Sequence, residues 1–242
     1  MYLTNTTKLL IFVFILIVYY FFIMNLSNTI DQQISKNYYT IDEVCHELNH
    51  IYSNIESIQK EVDDISNEIW VEWPEKHLYE NTFKWNIFPF MAFGIVIEDN
   101  CNKCPHLWNF IRQIPGIKVA LLSCLGPGTK LNPHRGWGNH SNHIIRCHFG
   151  FKVPTGCYMS VKNNENDDEE IQLHKKGEWI TFDDSRIHYA HNPTEEERIV
   201  LIIDIQRPNN IAIGNSDIGD TKELLQLIDY FKQKNIVFEN DI

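Results

Sequence analysis

The sequence predicts a mainly β domain, built as a sandwich or a barrel, with flanking helices. Apolar residues alternate at period two through much of residues 83–206, and clusters of turn residues separate the alternating segments. The segment has about 130 residues, which is enough to bury a core. The chain of 242 residues is 43% hydrophobic and 12% aromatic, which excludes a disordered protein, and its six cysteines are too few for a disulfide scaffold.

The formal net charge of −11 is unevenly distributed along the chain. Residues 31–70 hold nine acidic and two basic residues, residues 163–170 hold five acidic residues and no base, and residues 71–162 carry an excess of bases. Proteins that bind DNA or RNA need a basic surface to displace counterions from phosphate, so we expect no nucleic-acid partner. The acidic segments are expected to be solvated: one is a helix face and the other a hairpin tip.

The N-terminal segment, residues 1–30, is predicted to be a signal anchor with a transmembrane helix. Sixteen consecutive apolar or aromatic residues run from Leu9 to Met24, after a single charge at Lys8. A cleaved signal peptide is the alternative, although the residues after Met24 offer only a weak cleavage site. The positive-inside rule predicts a single-pass type II membrane protein, with the rest of the chain in a lumen like that of the endoplasmic reticulum or otherwise outside the cytoplasm.

Residues 31–70 are predicted to form a helical stalk. Thr40 and Glu43 form a capping box, and the apolar residues that follow are spaced alternately by three and four. This pattern predicts a helix and is compatible with a coiled coil, through which a homo-oligomer would form. The other interpretation is an amphipathic helix that lies against the following domain. The seam consists of Ile41, Val44, Leu48, Ile51, Ile55, Ile58, Val62, Ile65 and Ile69.

Residues 71–242 are predicted to form the globular domain, because Pro74 disfavours helical geometry at Trp73 and so ends the preceding helix. Within the domain we expect a helix at residues 105–113 and an amphipathic helix after Thr221.

Two of the predicted strands place an arginine on the face opposite an apolar row. Arg146 shares such a face with His148, and Arg198 shares one with Asp204. If these faces point inward, the interior holds positive charge, which is unfavourable unless an anion pairs with it.

Seven of the eleven histidines lie within residues 134–191, a density that favours a metal site. However, neither His134 nor His148 is followed two residues later by the carboxylate of the usual Fe(II) oxygenase motif. Zinc is less favoured, because Cys101 and Cys104 form one C-x-x-C pair without a second. That pair is interpreted as a structural disulfide or two free thiols rather than a redox pair. Spacing alone leaves open whether the histidines bind a metal.

Short motifs in a fixed order are more specific than spacing. They are Pro127-Gly128-Thr129, Pro133-His134-Arg135-Gly136, Arg146-Cys147-His148-Phe149-Gly150 and Phe182-Asp183-Asp184-Ser185-Arg186-Ile187-His188. In this order they closely resemble the aspartyl/asparaginyl β-hydroxylase family of Fe(II)- and 2-oxoglutarate-dependent dioxygenases, over about residues 105–208. The resemblance implies a double-stranded β-helix, which is a jelly-roll or cupin-like fold. It also implies an oxidoreductase that uses Fe(II), 2-oxoglutarate and O2.

The resemblance implies an iron site with two histidine ligands. His134 and His188 would bind the metal, and Asp184 would act in catalysis by orienting a ligand or a bound water. Gly136 stands where a facial triad has its carboxylate, and the lack of that ligand is a trait of the family.

The resemblance also implies a 2-oxoglutarate site. Arg198, with the Ser123 hydroxyl, would bind the distal carboxylate, because a guanidinium fork matches a carboxylate in a bidentate pair. Arg146 and His148 would hold the end that chelates iron.

By resemblance, the substrate is the β-carbon of Asp or Asn in a secreted or membrane protein domain. Two alternatives are kept: the same chemistry on a lipid acyl chain, which a hydrophobic groove would favour, and a catalytically inactive membrane-anchored binding protein. Residues 137–142 are expected to form an enlarged loop beside the site, and they include a glycosylation sequon at Asn139.

Overall fold

The computed structural model of the protein describes residues 15–17, 33–68, 70–79 and 84–234. The predicted membrane span, Leu9 to Met24, lies outside the described residues except for three residues at 15–17, which are helical and exposed. In the part of the chain that is described, no helix is both long and apolar enough to cross a membrane. The chain divides into a small unit that includes Asn209–Ala212 and a main unit that includes Lys36–Pro208.

The main unit contains short helices and eleven strands among its described residues. The α-helices are α1 (Ile41–Val44), α2 (Ile55–Asp64), α3 (Glu98–Lys103), α4 (Pro105–Ile111), α5 (Gly138–Ser141) and α6 (Lys222–Lys234), and 3-10 helices cover His46–Asn54, Ile65–Asn67 and Lys76–Leu78. The strands are β1 (Tyr38–Tyr39), β2 (Val71–Glu72), β3 (Trp85–Ala92), β4 (Ile95–Val96), β5 (Ile117–Leu125), β6 (Ile144–Lys152), β7 (Tyr158–Lys162), β8 (Glu170–Leu173), β9 (Trp179–Phe182), β10 (Ile187–His191) and β11 (Arg198–Gln206).

Two antiparallel sheets form the domain, which confirms the mainly β prediction. The larger sheet has the order β1-β9-β6-β11-β5-β3-β2, with β4 paired to β3, and the smaller has the order β10-β7-β8. One apolar cluster contains residues from both sheets, including Phe182 of β9, Leu125 of β5, and Val161 and Tyr189 of the smaller sheet. The sheets therefore share a core, as a jelly roll requires.

Residues 163–169 of the predicted turn lie between antiparallel strands β7 and β8, Glu170 begins β8, and the acidic side chains of the turn are exposed. This agrees with a solvated hairpin tip.

The helical segment at residues 41–67 is not a separate coiled-coil stalk. Seam residues Leu48, Ile51 and Ile58 are fully buried, and Val62 is 1% exposed. Glu61 of α2 accepts hydrogen bonds from the backbone N–H groups of two residues in the first turn of α4, at 2.8 and 2.9 Å. These contacts support the alternative, an amphipathic segment that lies against the domain. The sequence could not decide between the two, because the spacing of apolar residues specifies an apolar face but not what covers it.

Candidate active site

His134 and His188 are brought together by backbone pairing. His188 lies on β10, and His134 forms an isolated antiparallel bridge with it. The His134 N–H donates to the His188 carbonyl at 3.1 Å, and the His188 N–H donates back at 2.8 Å. Residues directly opposite each other in an antiparallel pair place their side chains on one face, and the two ring centroids are 4.4 Å apart.

Both imidazoles are held in the form that suits a metal ligand. Nδ1 of His134 is 2.7 Å from the Asn132 carbonyl, and Nδ1 of His188 is 2.8 Å from the Arg186 carbonyl. A carbonyl only accepts hydrogen bonds, so each Nδ1 carries the hydrogen and each Nε2 keeps its lone pair. Burial lowers the pKa of His134 to about 3 and that of His188 to about 4, so both rings are neutral at pH 7.

Asp184 supplies the carboxylate next to this pair. Its Oδ1 lies 3.4 Å from Nε2 of His188 and 2.5 Å from Nη1 of Arg146. A Cβ built at Gly136 would overlap Oδ2 of Asp184, so a side chain at position 136 is excluded by the carboxylate already there. No cluster of three metal-ligating side chains occurs within the described residues. Because each Nδ1 is hydrogen-bonded to a carbonyl, the free Nε2 lone pairs of His134 and His188 could hold a metal ion as two histidine ligands.

The predicted 2-oxoglutarate ligands lie around one cavity with the histidine pair. Ser123, Arg146, His148 and Arg198 line this cavity together with His134 and His188. Arg198 is 1% exposed, and among the described residues its Nε and Nη1 have no hydrogen-bond partner. Burial lowers its pKa to about 10, so the guanidinium stays charged at neutral pH. A buried cation without a partner requires an anion, which 2-oxoglutarate would supply.

Arg146 differs from Arg198 because its charge is already compensated. Its Nε and Nη2 donate to the two carboxylate oxygens of Asp204 at 2.7 and 2.8 Å, and Nη1 pairs with Asp184. Although burial opposes the charged form, these carboxylates raise the pKa of Arg146. Arg146 lines the cavity, but its guanidinium also holds the two aspartates in place.

The aspartyl/asparaginyl beta-hydroxylase family profile matches residues 52–208, which is more than half of the chain. The chain belongs to this family. The match begins inside the segment that the sequence predicted as a stalk.

Two curated relatives of this family member carry different names. It is 33% identical to the ornithine lipid ester-linked acyl 2-hydroxylase of Rhizobium tropici over 125 residues, 52% of this chain and 42% of that protein. It is 35% identical to aspartate beta-hydroxylase domain-containing protein 2 of Mus musculus over 138 residues, 53% of this chain and 38% of that protein. The chain thus spans less than half the length of either relative.

Solved structures give more distant matches. A prolyl hydroxylase from Trichoplax adhaerens, in complex with a hypoxia inducible factor peptide fragment, has a TM-score of 0.45 and 10% identity, covering 67% of this chain and 88% of that chain. A 2OG-Fe(II) oxygenase family oxidoreductase from Burkholderia pseudomallei has a TM-score of 0.44 and 11% identity, covering 53% and 68%.

Two site residues of this β-hydroxylase family member were not predicted from sequence. The alternation of side chains places Asp204 on the same strand face as Arg198, but it does not predict the bidentate pairing of Asp204 with Arg146, because the register that places them opposite each other is a tertiary feature. The sequence motifs assign no role to His174, yet its Nε2 lies 3.3 Å from Nδ1 of His148. No spacing signal links His148 on β6 with His174, which lies just after the end of β8.

A second, larger cavity opens beside the pair formed by His134 and His188. Its volume is about 360 Å³, in the range of small-molecule sites. The walls are mainly apolar and come from β3, β5, β11 and α6, while His134, Gly136 and Asp184 lie at the end next to the site. The apolar lining includes Trp73, Trp85, Ile87, Val119, Leu121, Ile202, Leu224, Leu227 and Phe231.

The two cysteines of the C-x-x-C motif are buried free thiols, as are the other four. Burial raises the pKa of Cys101 and of Cys104 to about 12, so neither is a reactive thiolate.

Proposed function

We propose that the chain is an Fe(II)- and 2-oxoglutarate-dependent dioxygenase that hydroxylates an unactivated carbon. The observation that carries this proposal is the buried guanidinium of Arg198, unpartnered at Nε and Nη1 among the described residues and lining one cavity with His134 and His188. An inactive binding protein would gain nothing from burying an uncompensated cation, which destabilises the fold.

Each residue of the site has a defined task in this proposal. Bound Fe(II) would supply oxygen activation coupled to the decarboxylation of 2-oxoglutarate to succinate and CO2. His134 and His188 would hold the metal through Nε2, in the tautomer that the backbone carbonyls set. Arg198, with the Ser123 hydroxyl, binds the distal carboxylate of 2-oxoglutarate. Asp184, held by Arg146, would present a hydrogen-bond acceptor next to Nε2 of His188 and so orient a water there.

The test is 2-oxoglutarate turnover by the full chain with Fe(II), measured as succinate formed. We expect His188→Ala to reduce turnover to the background level, because it removes one of two metal ligands. The exposed His46→Ala is the matched control and should match the wild type. The proposal fails if the wild type neither forms succinate above background nor binds Fe(II) or Mn(II).

The family resemblance of the sequence implies that the substrate is the β-carbon of Asp or Asn in a protein. The larger cavity favours the alternative substrate, a lipid acyl chain. The arginines that line it are both engaged: Arg146 with Asp184 and Asp204, and Arg135 with the Ser185 and Asn163 carbonyls at 2.7 Å each. A substrate carboxylate would therefore find no free guanidinium in the lining, whereas an apolar chain would contact its indole and aliphatic walls.

Substrate class is tested by mass spectrometry after incubation with acyl lipids in micelles or with Asp- and Asn-containing peptides. We expect hydroxylated acyl chains, and we expect Leu227→Trp to lower that turnover about tenfold by narrowing the cavity. Leu225→Trp, on the exposed side of the same helix, is the control. Hydroxylation of the peptides alone, with no effect of Leu227→Trp, would return the assignment to the Asp or Asn β-carbon.

The type II topology with a lumenal catalytic domain is part of the same proposal. Asn139 is exposed on α5, so a glycan on its side chain would extend into solvent. We expect microsomal translation to add a glycan that Asn139→Gln removes. An unglycosylated, protease-sensitive chain would contradict the lumenal location.

A further inference from the structure

His174 is the buried exception in an exposed strand region. All four residues of β8 are exposed, as are Lys175 and Lys176, whereas His174 between them is only 4% exposed. The chain thus turns one imidazole inward while even Ile171 and Leu173 stay in solvent. Burial of a polar ring is unfavourable unless it forms hydrogen bonds, so the inward position of His174 needs an explanation.

The partner of His174 is His148, which lines the cavity with Arg198. Nε2 of His174 lies 3.3 Å from Nδ1 of His148, and the two rings are nearly coplanar, with an angle of 16° and centroids 5.6 Å apart. This is the geometry of an in-plane N–H···N hydrogen bond. Among the described residues, Nε2 of His148 and Nδ1 of His174 have no partner.

Only one hydrogen can lie between the two rings, so the pair has two tautomeric arrangements. Burial is the main cause that lowers the pKa of both rings, and the charge of Arg198 lowers both further, so both rings are neutral. If His174 donates, Nε2 of His148 carries a hydrogen. If His148 donates, Nε2 of His148 keeps a lone pair, which would repel a carboxylate.

We propose that His174 is a positioning residue for the cosubstrate: its Nε2–H donates to Nδ1 of His148, so that His148 presents Nε2–H to a carboxylate of 2-oxoglutarate. This inference rests on the proposed function, since it needs an anion in the cavity with Arg198. His174 itself does not line the cavity and acts only through His148. The anion selects the donor tautomer, and the second ring stabilises it.

Binding is the first test. Calorimetric titration of 2-oxoglutarate into the Mn(II)-loaded full chain should give a dissociation constant about tenfold higher for His174→Phe, as expected for a weakened charge-assisted hydrogen bond. Mn(II) affinity should stay unchanged. His174→Gln, whose amide can donate to Nδ1 of His148, should recover part of the affinity. The exposed His143→Phe is the matched control. Wild-type affinity in His174→Phe would overturn the proposal.

The tautomer is the second test, and it needs no variant that could fail to fold. Imidazole ¹⁵N spectra of the metal-free wild type with saturating 2-oxoglutarate should show a protonated Nε2 and an unprotonated Nδ1 on His148. The reverse pattern would overturn the role of His174. Arg198→Met separates the two hypotheses: if the wild type binds no 2-oxoglutarate, or if Arg198→Met binds it as tightly, the assignment of the cosubstrate site fails rather than the role of His174.

Discussion

Arg146 and Arg198 look alike in the sequence, each on the face of a strand opposite an apolar row, but they differ in the structure. Asp204 is the direct cross-strand neighbour of Arg146 and forms a bidentate pair with it. Arg198 has no comparable carboxylate, and its buried Nε and Nη1 are unpartnered within the described chain. Side-chain alternation predicts which face an arginine occupies, because the period of a strand is intrinsic. It does not predict the register that decides whether the charge is compensated.

Gly136 shows the same dependence on a tertiary neighbour. A Cβ at this position would overlap the Asp184 carboxylate and lie 2.8 Å from the Ser141 Cβ. We expect Gly136→Ala to lower the free energy of unfolding by about 1–3 kcal/mol, as overpacking does, and to weaken Mn(II) binding by displacing Asp184.

Gly219→Ala is the control for that substitution, because a Cβ at Gly219 meets no atom within 4 Å. It should change stability by less than about 0.5 kcal/mol. Urea denaturation of both variants measures the difference, and equal stabilities would show that Asp184 moves aside without cost.

At the scale of elements, short sequence patterns predict where a helix begins better than they predict which surface it packs against. The capping box of Thr40 and Glu43 is present and begins a helix, as predicted. The helix is only α1, since Cys45 is extended and 3-10 geometry follows over His46–Asn54. The three-four spacing predicted the buried face correctly but favoured a coiled coil as strongly as packing on the domain. The pattern gives no information on which surface covers that face.

Packing on the domain makes a prediction that a coiled coil does not. Ile58 of α2 is fully buried within its own chain, so Ile58→Ala should lower the free energy of unfolding by about 2–5 kcal/mol without changing the association state. Urea denaturation and sedimentation velocity measure the two quantities. The exposed neighbour Ser57→Ala is the control. Dissociation of an oligomer by Ile58→Ala, with the domain still stable, would support a seam between chains.

At the scale of the whole molecule, the acidic residues behind the net charge of −11 lie mainly on the surface, away from the candidate active site. The acidic residues of the hairpin tip are exposed, and those of α2 lie mostly on its solvated side. The interior instead holds Arg198, an ion-pair network around Arg146, and buried neutral histidines. Composition supports the expectation of no nucleic-acid partner, because such binding depends on the charge of the surface. It could not reveal the protonation states of the interior, which depend on burial.

From the buried neutral histidines we expect the free energy of unfolding of the metal-free protein to decrease as the pH falls below about 6.5. The pKa values of the four are lowered mainly by burial, to about 4 for His188 and about 3 for His134. In the unfolded chain they take up protons near the ordinary value of 6.5, so the unfolded state binds more protons at lower pH. Each histidine then removes up to about 1.4 kcal/mol per pH unit until its folded-state pKa is reached. The four are His134, His148, His174 and His188.

Urea denaturation between pH 7.5 and 5.5 measures this slope. Burial raises the pKa of Asp204, but Arg146 and His140 outweigh it and hold the pKa well below its usual value. The stability that Asp204 contributes is therefore lost only at a pH below 5.5, outside the measured range. His174→Phe should remove the contribution of one histidine to the slope of the free energy of unfolding against pH, which is up to about 1.4 kcal/mol per pH unit. The exposed His46→Ala should leave the slope nearly unchanged. A free energy of unfolding that is constant across this range would mean that the buried imidazoles take up protons in the folded state. In that case neither iron binding through neutral Nε2 nor the neutral pairing of His148 with His174 could hold at pH 6.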